Sequence, residues 1–126
     1  NIAAHPLRPG HELTLLPADV ASQCAALEVN PSDVLRLGSS LVAKTAALAA
    51  KYSLPLVGGS DAHHAAQVGS ALTLFTQPSA SLAALKAQIA GGAATVWLHP
   101  EAEAMVAAGQ EAKRRILAER RAQPPA

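Results

Sequence analysis

Cysteine is nearly absent. Cys24 stands alone, so an internal disulfide is excluded and a reducing, cytoplasmic compartment is the expectation. Aromatic side chains are as scarce, with one Phe, one Tyr and one Trp in 126 residues. Half of the chain is apolar, but much of that half is alanine, so the core must be thin and built from small side chains. Neither charge sign dominates: ten Lys and Arg face nine Asp and Glu, for a net charge of +1. That balance gives no general electrostatic case for nucleic acid as a partner, and no aromatic residues interleave with the bases of the chain to stack nucleobases. No apolar run approaches the ~20 residues that cross a bilayer, and no signal-peptide pattern is visible; a membrane partner is not expected. The length fits one domain. An initiator Met is lacking and the first residues read as a strand, so a fragment of a longer protein is expected.

What is present centres on one stretch, Leu54-Pro55-Leu56-Val57-Gly58-Gly59-Ser60-Asp61-Ala62-His63. Its apolar start predicts a buried strand, and the paired glycines predict a tight turn at the strand's end. Asp61 and His63 are two apart, so on extended backbone they leave the same face. One oxygen and one nitrogen donor there suit a divalent metal. Ile2-Ala3-Ala4 followed by His5-Pro6 repeats the arrangement. In a parallel α/β protein the carboxyl ends of strands share one mouth, which would bring His5, Asp61 and His63 together.

The rest of the chain alternates strands and helices, the pattern of βα units in a parallel sheet. A loop follows His5. A short helix is predicted over 17–23 and a second strand over 24–29, which places Glu28 and Asn30 on one face near its end. Residues 31–38 read as a polar connection. Leu41, Thr45, Leu48 and Tyr52 recur at helical spacing, with Lys44 and Lys51 outward. Further strands are predicted over 71–75 and 95–98, a helix over 80–90 closed by Gly91-Gly92, and a long helix over 100–121 whose early acids and late bases suit its dipole. Residues 123–126 read as a frayed tail. Within the loops, Arg8, His11, Glu12, His64 and His99 all have a plain reading as solvated side chains, and Asn30 as a turn residue before Pro31. Ser60 has no base beside it and is a poor nucleophile.

The order Ala-His-Pro, Leu-Glu-Val-Asn, Gly-Ser-Asp-Ala-His and Val-Gly-Ser-Ala-Leu-Thr-Leu-Phe resembles the C-terminal half of a PHP (polymerase and histidinol phosphatase) domain, over about residues 1–75 and more loosely to 98. The resemblance implies part of a distorted TIM-like (β/α)7 barrel, with mostly parallel strands and flanking helices. It divides the chain into a PHP-like part, 1–98, and a C-terminal helix and tail, 99–126. The implied activity is metal-dependent hydrolysis of a phosphate ester, carried by a phosphorylated small molecule or a nucleotide. The implied metal ligands are His5, Asp61 and His63, holding zinc, manganese or iron; Arg8 is a candidate phosphate clamp and His64 a candidate acid. Glu28 and Asn30 are candidates for orienting the ligands from behind. The family's N-terminal His-x-His and its further ligands are missing here, so the chain alone is expected to be inactive or nearly so. Two other readings stay open: a non-catalytic PHP-like module of a larger protein, and an α/β binding domain whose histidines are incidental. Half a barrel would expose sheet edges, which predicts self-association.

Overall fold

Three of the predicted strands assemble side by side. The computed structural model describes residues 1–122, and the tail expected at 123–126 lies outside the described residues. Strands β1 (Ile2–Ala3), β2 (Ala26–Val29) and β3 (Leu56–Gly58) form a parallel sheet in the order β1-β2-β3. The register pairs Ala3 with Leu27 and Leu27 with Leu56. Short apolar strands of this kind are buried on both faces by the connections that parallel pairing requires. Leu27 and Val29 are fully buried, and Leu27 packs with Leu13, Ala21, Leu48 and Ala49. The core is accordingly small.

Helix α1 (Ala18–Ala21) leads into β2, and helix α3 (Ser40–Tyr52) connects β2 to β3. The predicted stripe on α3 is the buried one: Leu41, Thr45, Leu48 and Ala49 face inward, while Lys44 and Lys51 are exposed. The stretch 31–38 departs from the expected polar connection. It is helix α2 (Pro31–Leu37), capped by the Asn30 side chain, which accepts from the Asp33 N–H at 2.9 Å. Asn at the cap and Pro at the first helical position are a strong start signal, and here they outweigh the polarity of the segment.

Strands β4 (Ala71–Phe75) and β5 (Ala94–Leu98) pair antiparallel with each other, with helix α4 (Leu82–Ala90) between them in sequence. They form a separate two-stranded sheet. A side chain ties it to β3: Thr73 Oγ1 accepts from the Gly58 N–H at 3.0 Å and donates to the Gly58 carbonyl at 2.8 Å. A Cβ on Gly58 would collide with the backbone of Leu72. Gly58 thus serves close approach rather than the predicted turn. The chain is a mixed α/β structure, and no closed barrel is present among the described residues. Its parallel ladder ends at β3, where the next strand docks through Thr73 and turns back on β5.

Helix α5 (Ala102–Ala122) buries Val106 and Gly109. Gly109 lies against Gln67, in a turn of 3-10 helix over Ala65–Gln67 that follows the Asp61–His63 loop. No helix among the described residues is long and apolar enough to cross a membrane.

Candidate functional site

The carboxyl ends of β1, β2 and β3 lie next to one another because the strands are parallel and adjacent. Each end contributes a polar residue, and hydrogen bonds join them. Glu28, in β2, accepts the backbone N–H of His5, just beyond β1, at 3.1 Å through Oε2. Gly59, just beyond β3, makes room for that carboxylate; a Cβ there would strike Glu28 Oε1. Asn30 is 1% exposed and donates through Nδ2 to Glu28 Oε2 at 3.4 Å and to Asp33 Oδ2 at 3.3 Å. Arg8 completes the chain of contacts: its Nε donates to Asp33 Oδ1 at 2.9 Å and its Nη2 to Asp61 Oδ2 at 2.6 Å. Burial pulls the Arg8 pKa down, but the hydrogen bonds to Asp61 and Asp33 and their negative charges outweigh it, and the net shift is upward.

Backbone geometry is unusual at two of these positions. His5 has φ +38° and Asp61 φ +49°, both left-handed, a conformation that costs on the order of 1–3 kcal/mol for a residue with a side chain. The network and the sheet hold them there. The left-handed Asp61 also alters the expected geometry of Asp61 and His63. The segment is not extended, and the His63 ring folds back so that Nδ1 lies 2.9 Å from the Asp61 carbonyl. A carbonyl only accepts, so Nδ1 donates, and in the neutral ring Nε2 keeps a free lone pair. The His63 N–H donates to Gln67 Oε1 at 2.9 Å, and Gln67 is itself buried against Gly109. Helix α5 therefore buttresses the loop that carries Asp61 and His63.

A cleft of about 400 Å³ opens over this cluster, lined by Arg8, Asp33, Asp61, His63 and Gln67. Ser32 and Arg36 from α2 and Gly109, Gln110 and Lys113 from α5 form the rest of its wall. Of the residues singled out in the sequence, Arg8, Asp61 and His63 face this cleft, while Glu28 and Asn30 lie behind it in the network with the backbone of His5. His64 is not part of the wall. It is half-buried rather than solvated, and its Nδ1 accepts from the Ala66 N–H at 3.2 Å, capping the short turn. Asp33, Arg36, Gln67 and Lys113 join the site from outside the sequence-predicted set. Asp33 follows the Asn30-Pro31 helix start by a fixed step, a signal present in the sequence; Lys113 enters the cleft only through the packing of α5.

The fit to a divalent metal is partial. His5 Nδ1 is buried with no hydrogen-bond partner, as a nitrogen reserved for a metal would be, and His63 Nε2 is free. Asp61, however, gives Oδ2 to Arg8, and among the described residues no three His, Cys, Asp or Glu side chains converge to hold an ion. The described residues do not complete a metal site.

Comparison with known proteins follows the same lines. No curated protein matches the chain. Among solved structures, it is similar to PsfC from Pseudomonas syringae PB-5123, with 23% sequence identity and a TM-score of 0.71. That match covers 91% of this chain but 45% of PsfC, so the chain spans less than half the length of its structural relative, and the likeness is one of fold. A family model described as PHP-associated matches residues 43–96, from within α3 through β3 and β4 to β5. The match supports a PHP-associated C-terminal region over residues 43–96.

Proposed function

We propose that this chain is part of a PHP-type phosphoesterase and supplies one side of its substrate site. The observation that carries the reading is the single network joining His5, Glu28, Asn30 and Asp61 at the carboxyl ends of three adjacent parallel strands. The PHP-associated match at 43–96 supports it, since that span includes Asp61 and His63. In this reading the three-stranded sheet is one side of a distorted TIM-like barrel, and the substrate is a phosphorylated small molecule or a nucleotide. Divalent zinc, manganese or iron would be held by His5, Asp61 and His63 together with donors this chain does not contribute, and would supply an activated water.

The chain's own residues have definite roles. Glu28 fixes the backbone of His5 and so the placement of its ring. Arg8 orients Asp61 and offsets its charge. Gln67 fixes the loop carrying His63. Arg36 and Lys113, which also line the cleft, favour an anionic ligand. His64, with Nδ1 occupied, has only Nε2–H to offer as an acid.

One observation favours a second reading, a non-catalytic PHP-like module: the Arg8–Asp61 ion pair already occupies one oxygen of the carboxylate that a metal would need. Metal analysis separates the two. In the longer protein, inductively coupled plasma mass spectrometry is expected to find bound zinc, manganese or iron, reduced in an Asp61→Ala, His63→Ala double variant. Equal metal in both would favour the module.

A further inference from the structure

We propose that Arg36 and Lys113 form a subsite that anchors a phosphate group of the ligand, outside the Arg8–Asp33–Asp61 cluster. The inference rests on the phosphoesterase reading for the identity of the anion, and on the charge arrangement of the cleft for the site itself. The cleft wall carries three cations, Arg8, Arg36 and Lys113, and two carboxylates, Asp33 and Asp61. Both carboxylates form their ion pair with Arg8, each through one oxygen. Asp33 is the acid three residues before Arg36 on α2, the position that would normally pair with it. It is buried, with one oxygen on Arg8 and the other on Asn30, so it is closed to Arg36. Lys113 has no acid three or four residues away on its own helix: those positions are Gly109, Gln110, Ile116 and Leu117. Among the described residues neither Arg36 nor Lys113 forms an ion pair.

The next basic residue on α5 behaves differently. Arg114 lies one position further round the helix, outside the cleft wall, and binds Glu111 at 2.6 Å. Of the three cations that line the cleft, the two without an ion pair among the described residues are thus Arg36 and Lys113, one from α2 and one from α5. Like charges lining one cleft repel, and an anion bound by both removes that cost. The planar fork of Arg36 and the compact ammonium of Lys113 are complementary phosphate donors, with Ser32 and Gln110 beside them as neutral partners. Neither cation is placed to activate water, so the subsite anchors and does not react.

The test uses the 126-residue chain as it stands, with inorganic phosphate as the probe, followed by amide chemical shifts at constant ionic strength. Saturable shifts are expected in the amides of Ser32 to Arg36 and of Gln110 to Lys113. An Arg36→Gln, Lys113→Gln double variant is expected to weaken binding at least about tenfold, the loss of charge-assisted contacts worth about 1.5 kcal/mol or more. Arg114→Gln, a charge change of the same sign on the same helix, should leave affinity unchanged. Asp61→Ala, which the phosphoesterase reading expects to abolish hydrolysis, should still bind phosphate, so the two ideas fail separately. Absence of saturable shifts at α2 and α5, or equal weakening by Arg114→Gln and by the double variant, would overturn the subsite.

Discussion

Replacing Asn30 by alanine tests whether the network is what holds the strand ends together. Asn30 is 1% exposed, so solvent cannot replace what its side chain does. The first loss is the cap of α2, where Oδ1 accepts from the Asp33 N–H at 2.9 Å; removing such a cap costs about 1 kcal/mol. The second is Nδ2, which serves Asp33 at 3.3 Å and Glu28 at 3.4 Å. Those bonds are long, so stripping the carboxylates of this donor belongs at the low end of the range of about 1–3 kcal/mol. Together the change is expected to cost about 2–3 kcal/mol. With a urea slope of about 1.5 kcal/mol/M, the midpoint of unfolding followed by circular dichroism falls by about 1.3–2 M. Asn30→Asp separates the two parts. It keeps an acceptor for the cap but sets a third carboxylate against Glu28 and Asp33, and it should be at least as destabilising at neutral pH. An Asn30→Ala protein within about 0.5 kcal/mol of the parent, or an Asn30→Asp protein as stable as the parent, would refute the reasoning.

Arg8→Met is expected to destabilise the fold by about 3 kcal/mol, because it leaves the buried Asp33 carboxylate without its cation. The sign of the Arg8 shift sets the pH dependence. A guanidinium whose pKa is raised on folding contributes its full stabilisation below the ordinary arginine range and loses it only as pH rises through the raised value. The stability gap between parent and Arg8→Met, measured by urea titration, should therefore stay flat from about pH 6 to pH 9. Gly109→Val drives a branched side chain into Gln67 and releases its hold on the His63 N–H; faster amide exchange at His63 is expected, with about 1–3 kcal/mol of lost stability. Strand β1 is an edge with Ile2 half exposed, so the chain is expected to self-associate. Light scattering should show a mass that rises with concentration, and a clean monomer throughout would count against it.

Much of the strand-end arrangement is legible in the residues themselves. Apolar runs ending in His5 and Glu28, and the run ending in Gly-Gly-Ser-Asp-Ala-His, mark the three strands of the parallel sheet. The Leu41, Thr45, Leu48 spacing marks the helix that covers it. What is not legible depends on tertiary contact. Nothing in the local sequence says that Gly58 and Gly59 exist for close approach to Leu72 and Glu28 rather than for a turn. The strain of the turn falls on Asp61 instead. Nor does local pattern reveal that β5 returns antiparallel to β4, or that α5 folds back to place Gly109 on Gln67 and Lys113 in the cleft. The pairing of Arg8 with two carboxylates joins residues 25 and 53 positions apart, beyond the reach of any spacing argument. Asn30-Pro31 is a helix start that the sequence does carry, masked by the polar character of the segment around it.

The central claim is that the strand ends carrying His5, Asp61 and His63 belong to a phosphoester-cleaving site that this chain only partly supplies. The most direct measurement is turnover of p-nitrophenyl phosphate, with zinc, manganese or iron added, by three proteins: this chain alone, a longer protein that joins it to the donors the proposal requires, and that longer protein carrying Asp61→Ala. The account predicts negligible turnover by the chain, measurable turnover by the longer protein, and its loss in the variant despite an unchanged circular dichroism spectrum. Turnover by the isolated chain that Asp61→Ala abolishes would contradict the claim that the site is incomplete. Turnover by the longer protein that survives Asp61→Ala would contradict the assignment of the site itself.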